Sequence, residues 1–188
     1  MKTVVDVNVL FALLAGGHPH HTAAWKWWQR QSDGHIGLCW LTRMAVLRLL
    51  TNIKAMGGQP ATPEEALAAW NALAVDPRCL WLEADAAHEP FLRQFVTGRQ
   101  PSPNLWSDAW LAALAASKGY QLTSFDADFR SFHLANFEHL KPERWKLLPN
   151  ALSTHRCESH IEVAGELDSG KAGRPRARKR FPVNQSAT

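Results

Sequence analysis

Leu105-Trp106-Ser107-Asp108-Ala109-Trp110-Leu111-Ala112-Ala113-Leu114-Ala115-Ala116-Ser117, then Lys118-Gly119, then Tyr120-Gln121-Leu122-Thr123-Ser124-Phe125-Asp126, is the stretch whose reading decides the fold. Its first part is apolar or small on every side of a helical wheel, the pattern of a helix covered all round. Lys118-Gly119 is a helix stop, and the short apolar run Tyr120–Phe125 behind it reads as a buried strand. A buried helix feeding a buried strand through a two-residue connection points to a sheet with helices packed on it. Asp108 is the one charge in that helix before Lys118. An ionised carboxylate there is costly unless a cation or hydrogen-bond donors meet it. It is either a cap or structural ion pair, or one of several carboxylates sharing a metal ion.

Moving outward, the same alternation recurs. Lys2–Val5 reads as a strand ending at Asp6, and Val7–Leu14 as a helix closed by Gly16-Gly17. A second helix is expected from Ala23 to about Gln31, with Trp25 and Trp28 on one face, and a strand at Ile36–Cys39. Thr42 is expected to cap a helix running to about Thr51. Thr62-Pro63-Glu64-Glu65 is a helix start with a Thr cap, proline in the first turn and two acids, and that helix should reach about Ala74. Cys79–Leu82 reads as a third strand, Asp85 as the cap of a helix from Ala86 to about Thr97, and Phe137–Leu140 as a final edge strand. Strands alternating with helices of this length predict an α/β fold: a central parallel sheet of four to five strands with helices on both faces. The alternation stops near residue 148. Residues 149–188 form a polar, basic tail containing Gly170-Lys171-Ala172-Gly173-Arg174-Pro175-Arg176-Ala177-Arg178-Lys179-Arg180, expected to be disordered.

Composition narrows the function classes. The 188 residues suit one domain with a tail, and 46% apolar content suits a globular body. No apolar run approaches the length needed to cross a membrane, and Asp6 at the head of the first long apolar segment argues against a signal peptide. Three scattered cysteines, Cys39, Cys79 and Cys157, show no ligand spacing and read as reduced thiols of a cytoplasmic protein. The net charge of +4 is uneven: residues 1–150 hold 14 Lys/Arg against 13 Asp/Glu, and residues 151–188 hold 7 against 4. The basic tail would attract any polyanion non-specifically.

In a parallel sheet, ligands collect beyond the carboxyl ends of the strands, where the strand order reverses. Asp6 follows the first strand and Asp126 the fourth. Asp108 lies in the first turn of the helix before the fourth strand, and the loop Gly98–Asn104 is long enough to carry that turn to the same edge. Any one of these acids alone reads more readily as a turn or cap residue. Together they are three isolated carboxylates at compatible places, and converging carboxylates without histidine or thiolate suit a hard ion, Mg²⁺ or Mn²⁺.

Val4-Val5-Asp6-Val7-Asn8-Val9-Leu10, the run Thr42–Asn52, Ser107-Asp108-Ala109 with its alanine-rich helix, and Leu122-Thr123-Ser124-Phe125-Asp126-Ala127-Asp128-Phe129 together resemble a PIN domain, over about residues 1–148. The closest kind is the VapC-like ribonuclease toxin of bacterial toxin–antitoxin pairs. The resemblance implies a three-layer α/β/α fold and an Mg²⁺- or Mn²⁺-dependent endoribonuclease, with Asp6, Asp108 and Asp126 holding the ion. Asn8 and Ser124 match positions that support those acids, and Asp128 a position that is often acidic. It also implies an RNA substrate, a cognate antitoxin protein and a homodimer. One position departs from the pattern: where the family usually has Glu or Gln at the start of the third helix, this chain has Arg43. Three readings are open. Arg43 pairs with Asp108 and weakens or abolishes the metal site, leaving a catalytically impaired module that binds RNA or antitoxin; it binds substrate phosphate beside a single metal; or the register is off and Glu83 or Asp85 supplies the fourth carboxylate.

Other features read more blandly. His18, His20 and His21 lack partners at ligand spacing and read as a turn before a helix. Of the nine tryptophans, Trp25, Trp28, Trp70, Trp81 and Trp110 fall on apolar faces and are expected in the core or at a dimer interface. Arg99, in the loop before the Asp108 helix, could meet RNA phosphate, although an exposed loop arginine is usually only solvated.

Overall fold

The alternation of strand and helix produces five parallel strands in a computed structural model that describes residues 1–142. The expected tail from residue 149 lies outside the described residues. The strands are β1 (Thr3–Val5), β2 (Ile36–Leu38), β3 (Cys79–Trp81), β4 (Gln121–Ser124) and β5 (Phe137–His139), in the order β3-β2-β1-β4-β5. The helices are α1 (Val7–Leu14), α2 (His21–Gln29), α3 (Trp40–Leu50), α4 (Pro63–Ala74), α5 (His88–Val96) and α6 (Leu105–Lys118), with a 3-10 turn at Ala127–Phe132. The order reverses at β1: β2 and β3 lie on one side of it, β4 and β5 on the other. Register pairs Val4 with Gly37 and Leu122, and Val5 with Thr123.

Successive strand side chains point to opposite faces, and β1 separates the two cores. Val5 joins a cluster with Leu10, Trp27, Ile36, Leu38, Val46 and Trp70, supplied by α1 to α4. Val4 joins the other, with Leu122, Phe95 and the buried residues of α6. Helices therefore cover both faces, as expected for the three-layer arrangement. Gly37 in β2 permits close packing: a Cβ there would stand 2.3 Å from Leu82 Cδ1 and 3.0 Å from the Thr3 carbonyl oxygen. Gly37→Ala should lower stability by about 1–3 kcal/mol, the usual result of overpacking. Urea unfolding checks this, and a variant as stable as the parent would show that Leu82 moves aside freely.

Local signals set most element ends. Thr62 Oγ1 accepts from the Glu65 amide and Glu65 returns a carboxylate to the Thr62 amide, closing the box that starts α4. Gly119, at φ 63°, ends α6 in the left-handed conformation that glycine adopts without penalty. Elsewhere tertiary context shifted the boundaries. α3 begins at Trp40, so Thr42 is not its cap. Its hydroxyl reaches back to the Cys39 amide at 3.2 Å from the third helical position. α5 begins at His88; Asp85 accepts from the Ala87 amide ahead of it and pairs with Lys118 at the end of α6. The tryptophan face of α2 also differs from expectation. Trp27 is fully buried and Trp28 nearly so, while Trp25 is exposed, as is Trp81. Trp27 packs into the apolar core, and its indole Nε1–H is satisfied there by Glu138 Oε2 on β5 at 3.1 Å.

Candidate functional site

Asp6 is placed by two roles at once. It is the first residue beyond β1 and the N-cap of α1, so its backbone amide bonds the Thr123 carbonyl and its Oδ1 accepts from the Val7 amide at 2.7 Å. Its Oδ2 accepts from Ser124 Oγ at 2.6 Å. Ser124, the last residue of β4, is fully buried and is the hub of the site. Its Oγ accepts from Asn8 Nδ2 at 3.0 Å and from the Asp126 amide at 2.8 Å. Asn8 in turn accepts the Phe125 amide on its Oδ1 at 3.2 Å. The ends of β1 and β4 are thus sewn together by side chains. Asp126 caps the 3-10 turn by accepting the Asp128 amide at 2.8 Å. Asp108, in the first turn of α6, has Ser107 Oγ 3.5 Å from its Oδ1.

The electrostatics place these acids within reach of one another's charge. Burial pushes the Asp6 carboxyl up to about 6, against the hydrogen bonds from Ser124 and Val7, and the Asp126 charge adds to the rise. Asp108 is also pushed up to about 6, first by burial, then by the charges of Asp6 and Asp126, with a smaller contribution from Asp128. Among the described residues no lysine or arginine pairs with Asp6, Asp108, Asp126 or Asp128. The site is therefore an uncompensated negative field made of hard oxygen donors, which is what a hard dication would relieve. Among the described residues no three acidic, histidine or cysteine side chains already stand as a ligating group. The residues fit a divalent cation by chemistry and charge, and an ion would have to draw them together.

The remaining expected positions divide. Asn8 and Ser124 lie in the hydrogen-bond set around Asp6, and Asp128 donates its amide to Asp126. Arg43 makes no ion pair with the acids among the described residues; its guanidinium lies 5.0 Å from the Trp40 ring centroid, and its buried Nε has no hydrogen-bond partner. Asp85 is held by Lys118, ten residues or about 15 Å down α6 from Asp108, and so is no fourth carboxylate. The histidines form the expected pre-helix turn, with the His20 amide on His18 Nδ1 and His21 Nδ1 against the Ala12 carbonyl. The sequence reading missed the surroundings of Arg99. Its guanidinium donates to Ser131 Oγ at 2.8 Å and to the Ser131 carbonyl at 2.5 Å, and sits 4.1 Å over the Phe132 ring. Nothing in the sequence links positions 99 and 131, so no signal could have shown it. It also missed a groove of about 990 Å³ between α3 and α4, lined by Trp40, Met44, Leu47 and Leu67 and reaching Ser107 beside Asp108.

Comparison with known proteins agrees with this architecture. The PIN domain family model matches residues 3–133. The chain is 36% identical over 132 residues to Ribonuclease VapC41 of Mycobacterium tuberculosis, covering 68% of this chain and 90% of that protein. It is 31% identical over 141 residues to Ribonuclease VapC31 of the same organism, covering 74% and 97%. Among solved structures, Mycobacterium tuberculosis VapC20, described as a sarcin-ricin loop cleaving toxin, superposes with a TM-score of 0.52 at 21% identity, over 69% of this chain and 94% of that one. VapBC-1 from nontypeable Haemophilus influenzae gives 0.52 at 16%, over 74% and 98%. The family model spans most of the chain, and VapC41 aligns across nine tenths of its own length; the chain belongs to the PIN-domain family, in its VapC branch of ribonuclease toxins.

Proposed function

We propose that this protein is an Mg²⁺-dependent endoribonuclease that works in the cytoplasm as a homodimer and is held in check by a cognate antitoxin protein, with Asp6, Asp108 and Asp126 as the metal-holding acids and Mn²⁺ as an alternative ion. The observation that carries the reading is the pair of carboxyls raised to about 6 at the carboxyl edge of β1 and β4, with no lysine or arginine paired to them among the described residues. A divalent ion held there would bind oxygens of the scissile phosphate and lower the pKa of an attacking water. The chain's own residues do the positioning. Ser124 fixes Asp6 in one rotamer, Asn8 ties Ser124 to the Phe125 backbone, and that tie sets where Asp126 leaves the sheet. The family's naming as ribonucleases supports RNA as the substrate. An antitoxin partner is supported by the likeness to VapBC-1 from Haemophilus influenzae and by the groove between α3 and α4, whose exposed Trp40, Met44 and Leu67 suit the apolar face of a partner segment.

The test is cleavage of single-stranded RNA with Mg²⁺, with and without chelator. Activity that persists when the metal is removed would sink the proposal. The competing reading, a catalytically impaired binding module, was motivated by Arg43. The guanidinium lies over Trp40 and not on the acids, which favours an active site. Arg43→Glu separates the two. If the site is already competent, the variant should change Mn²⁺ affinity by less than about tenfold and leave cleavage in place. Cleavage that appears only in Arg43→Glu would establish the impaired module instead. No helix among the described residues is long and apolar enough to cross a membrane.

A further inference from the structure

We propose that Arg99 is the RNA-backbone anchor of this site, holding a phosphate next to the one that is cut; this rests on the nuclease reading above. A loop arginine is ordinarily mobile and solvated, but this one is half-buried and immobilised from three directions. Its two terminal nitrogens donate to the Ser131 hydroxyl and carbonyl, and its plane covers Phe132. Those bonds use two of the five N–H donors of a guanidinium. Three remain for a ligand, on a group whose rotamer freedom has already been removed.

The direction in which those donors can act is set by a cavity of about 290 Å³. Arg99 and Ser131 form one part of its wall and Asp108 and Asp128 another, and among the described residues Arg99 pairs with neither acid. A cation placed only to neutralise the carboxylates would have closed on them. Here it is tied back to Ser131 instead, so that one cavity is lined both by carboxylates and by a tethered planar donor. Such a cavity suits a group that is anionic and bridges the two when a metal covers the carboxylates: a backbone phosphate with its sugar. Guanidinium binds phosphate through parallel N–H bonds, and phosphate contacts of this kind fix a strand's register without reading its sequence. Arg99, Ser131 and Phe132 also line a second cavity of about 460 Å³. A strand leaving the acids on this side therefore passes the same guanidinium.

The experiment reads binding and turnover separately. Binding of fluorescein-labelled, phosphorothioate-linked oligouridine is followed by anisotropy across a salt series with Mg²⁺ present, in the otherwise native protein, with cleavage of the probe measured in parallel. One lost phosphate contact on a single strand should reduce the slope of log K against log salt by about 0.7. Arg99→Gln should show that reduction, and in the otherwise native protein should raise KM by about tenfold or more with kcat changed less than about threefold. Ser131→Ala removes one tether but no charge, so it should loosen the loop and leave the salt slope as it was. Arg99→Lys should keep the slope that Arg99→Gln reduces, because it keeps the charge while losing the Ser131 and Phe132 contacts; a slope reduced equally in both variants would overturn the assignment of that charge to a phosphate. An Arg99→Gln slope equal to the parent's overturns the proposal, whether cleavage falls (a structural staple) or stays. If the native protein cuts no RNA at all, the nuclease reading fails on that result, and the slope still decides whether Arg99 meets phosphate.

Discussion

Asp6→Asn should abolish RNA cleavage and at the same time make the metal-free protein more stable at pH 7.5. The two effects have one cause. Asp6 sits at 7% exposure with its carboxyl raised to about 6 from an ordinary 3.8. Raised means that the folded protein holds this proton more tightly than the unfolded chain does. Below about pH 4 both states carry the proton and nothing is lost. As pH rises through 4 to 6 the unfolded chain releases it first, and stability falls. Above 6 the full cost is present, on the order of 3 kcal/mol for a shift of about two units. Asparagine removes the charge and keeps a side-chain acceptor for the Val7 amide, so part of that cost should return as stability, about 1–2 kcal/mol or a few degrees in Tm. Activity should fall by about a thousandfold or more, since a neutral amide is a poor ligand for a hard dication. Thermal melts in chelator at pH 7.5 and pH 4, with single-turnover cleavage, check both halves. A variant that is less stable at pH 7.5, or that still cuts within tenfold of the parent, would contradict this account of Asp6.

Divalent metal should bind far more weakly at pH 5 than at pH 7.5. Asp6 and Asp108 are both raised to about 6, Asp6 by burial above all, Asp108 by burial and then by Asp6 and Asp126. Metal binds the ionised forms and must displace whatever protons remain. At pH 7.5 both groups are mostly ionised. At pH 5 each is about one unit below its midpoint, so each contributes close to a tenfold penalty and the pair about a hundredfold at most. The ion should correspondingly raise Tm much more at pH 7.5 than at pH 5. Titration calorimetry with Mn²⁺ in two buffers of different ionisation enthalpy measures affinity and proton release together. An affinity that does not change between the two pH values would mean that these carboxyls are not the ligands.

Trp27 and Arg43 show where reading the chain in one dimension runs out. The wheel for α2 places Trp25 with Trp28, and by periodicity that face is as good as any other. The chain buries Trp27 in the apolar core, where Glu138, more than a hundred residues later, offers its indole an acceptor. Arg43 lies on a face shared with Leu47 and Leu50, which suggests that it points inward, yet its flexible stem carries the guanidinium onto Trp40. In both cases the sequence limits the options and tertiary packing selects among them. Asp85 is the reverse case: its position after β3 made it a candidate ligand, and Lys118 claims it.

The sequence by itself determined the order of strands and helices, the parallel sheet, and the delivery of Asp6, Asp108 and Asp126 to its carboxyl edge. Periodicity, caps and the Lys118-Gly119 stop are local, and a parallel sheet joined by helices leaves its strand ends few places to go. Only the tertiary structure decided how those acids are held and what surrounds them. Ser124 bonds Asp6 because β4 lies beside β1, Arg99 is tethered because Ser131 lies against it, and Arg43 stacks on Trp40 and pairs with none of the site's acids among the described residues. These are choices of rotamer and partner between residues distant in the chain. They are fixed by packing and by the cost of leaving buried polar groups unpaired, and neither can be summed along a sequence.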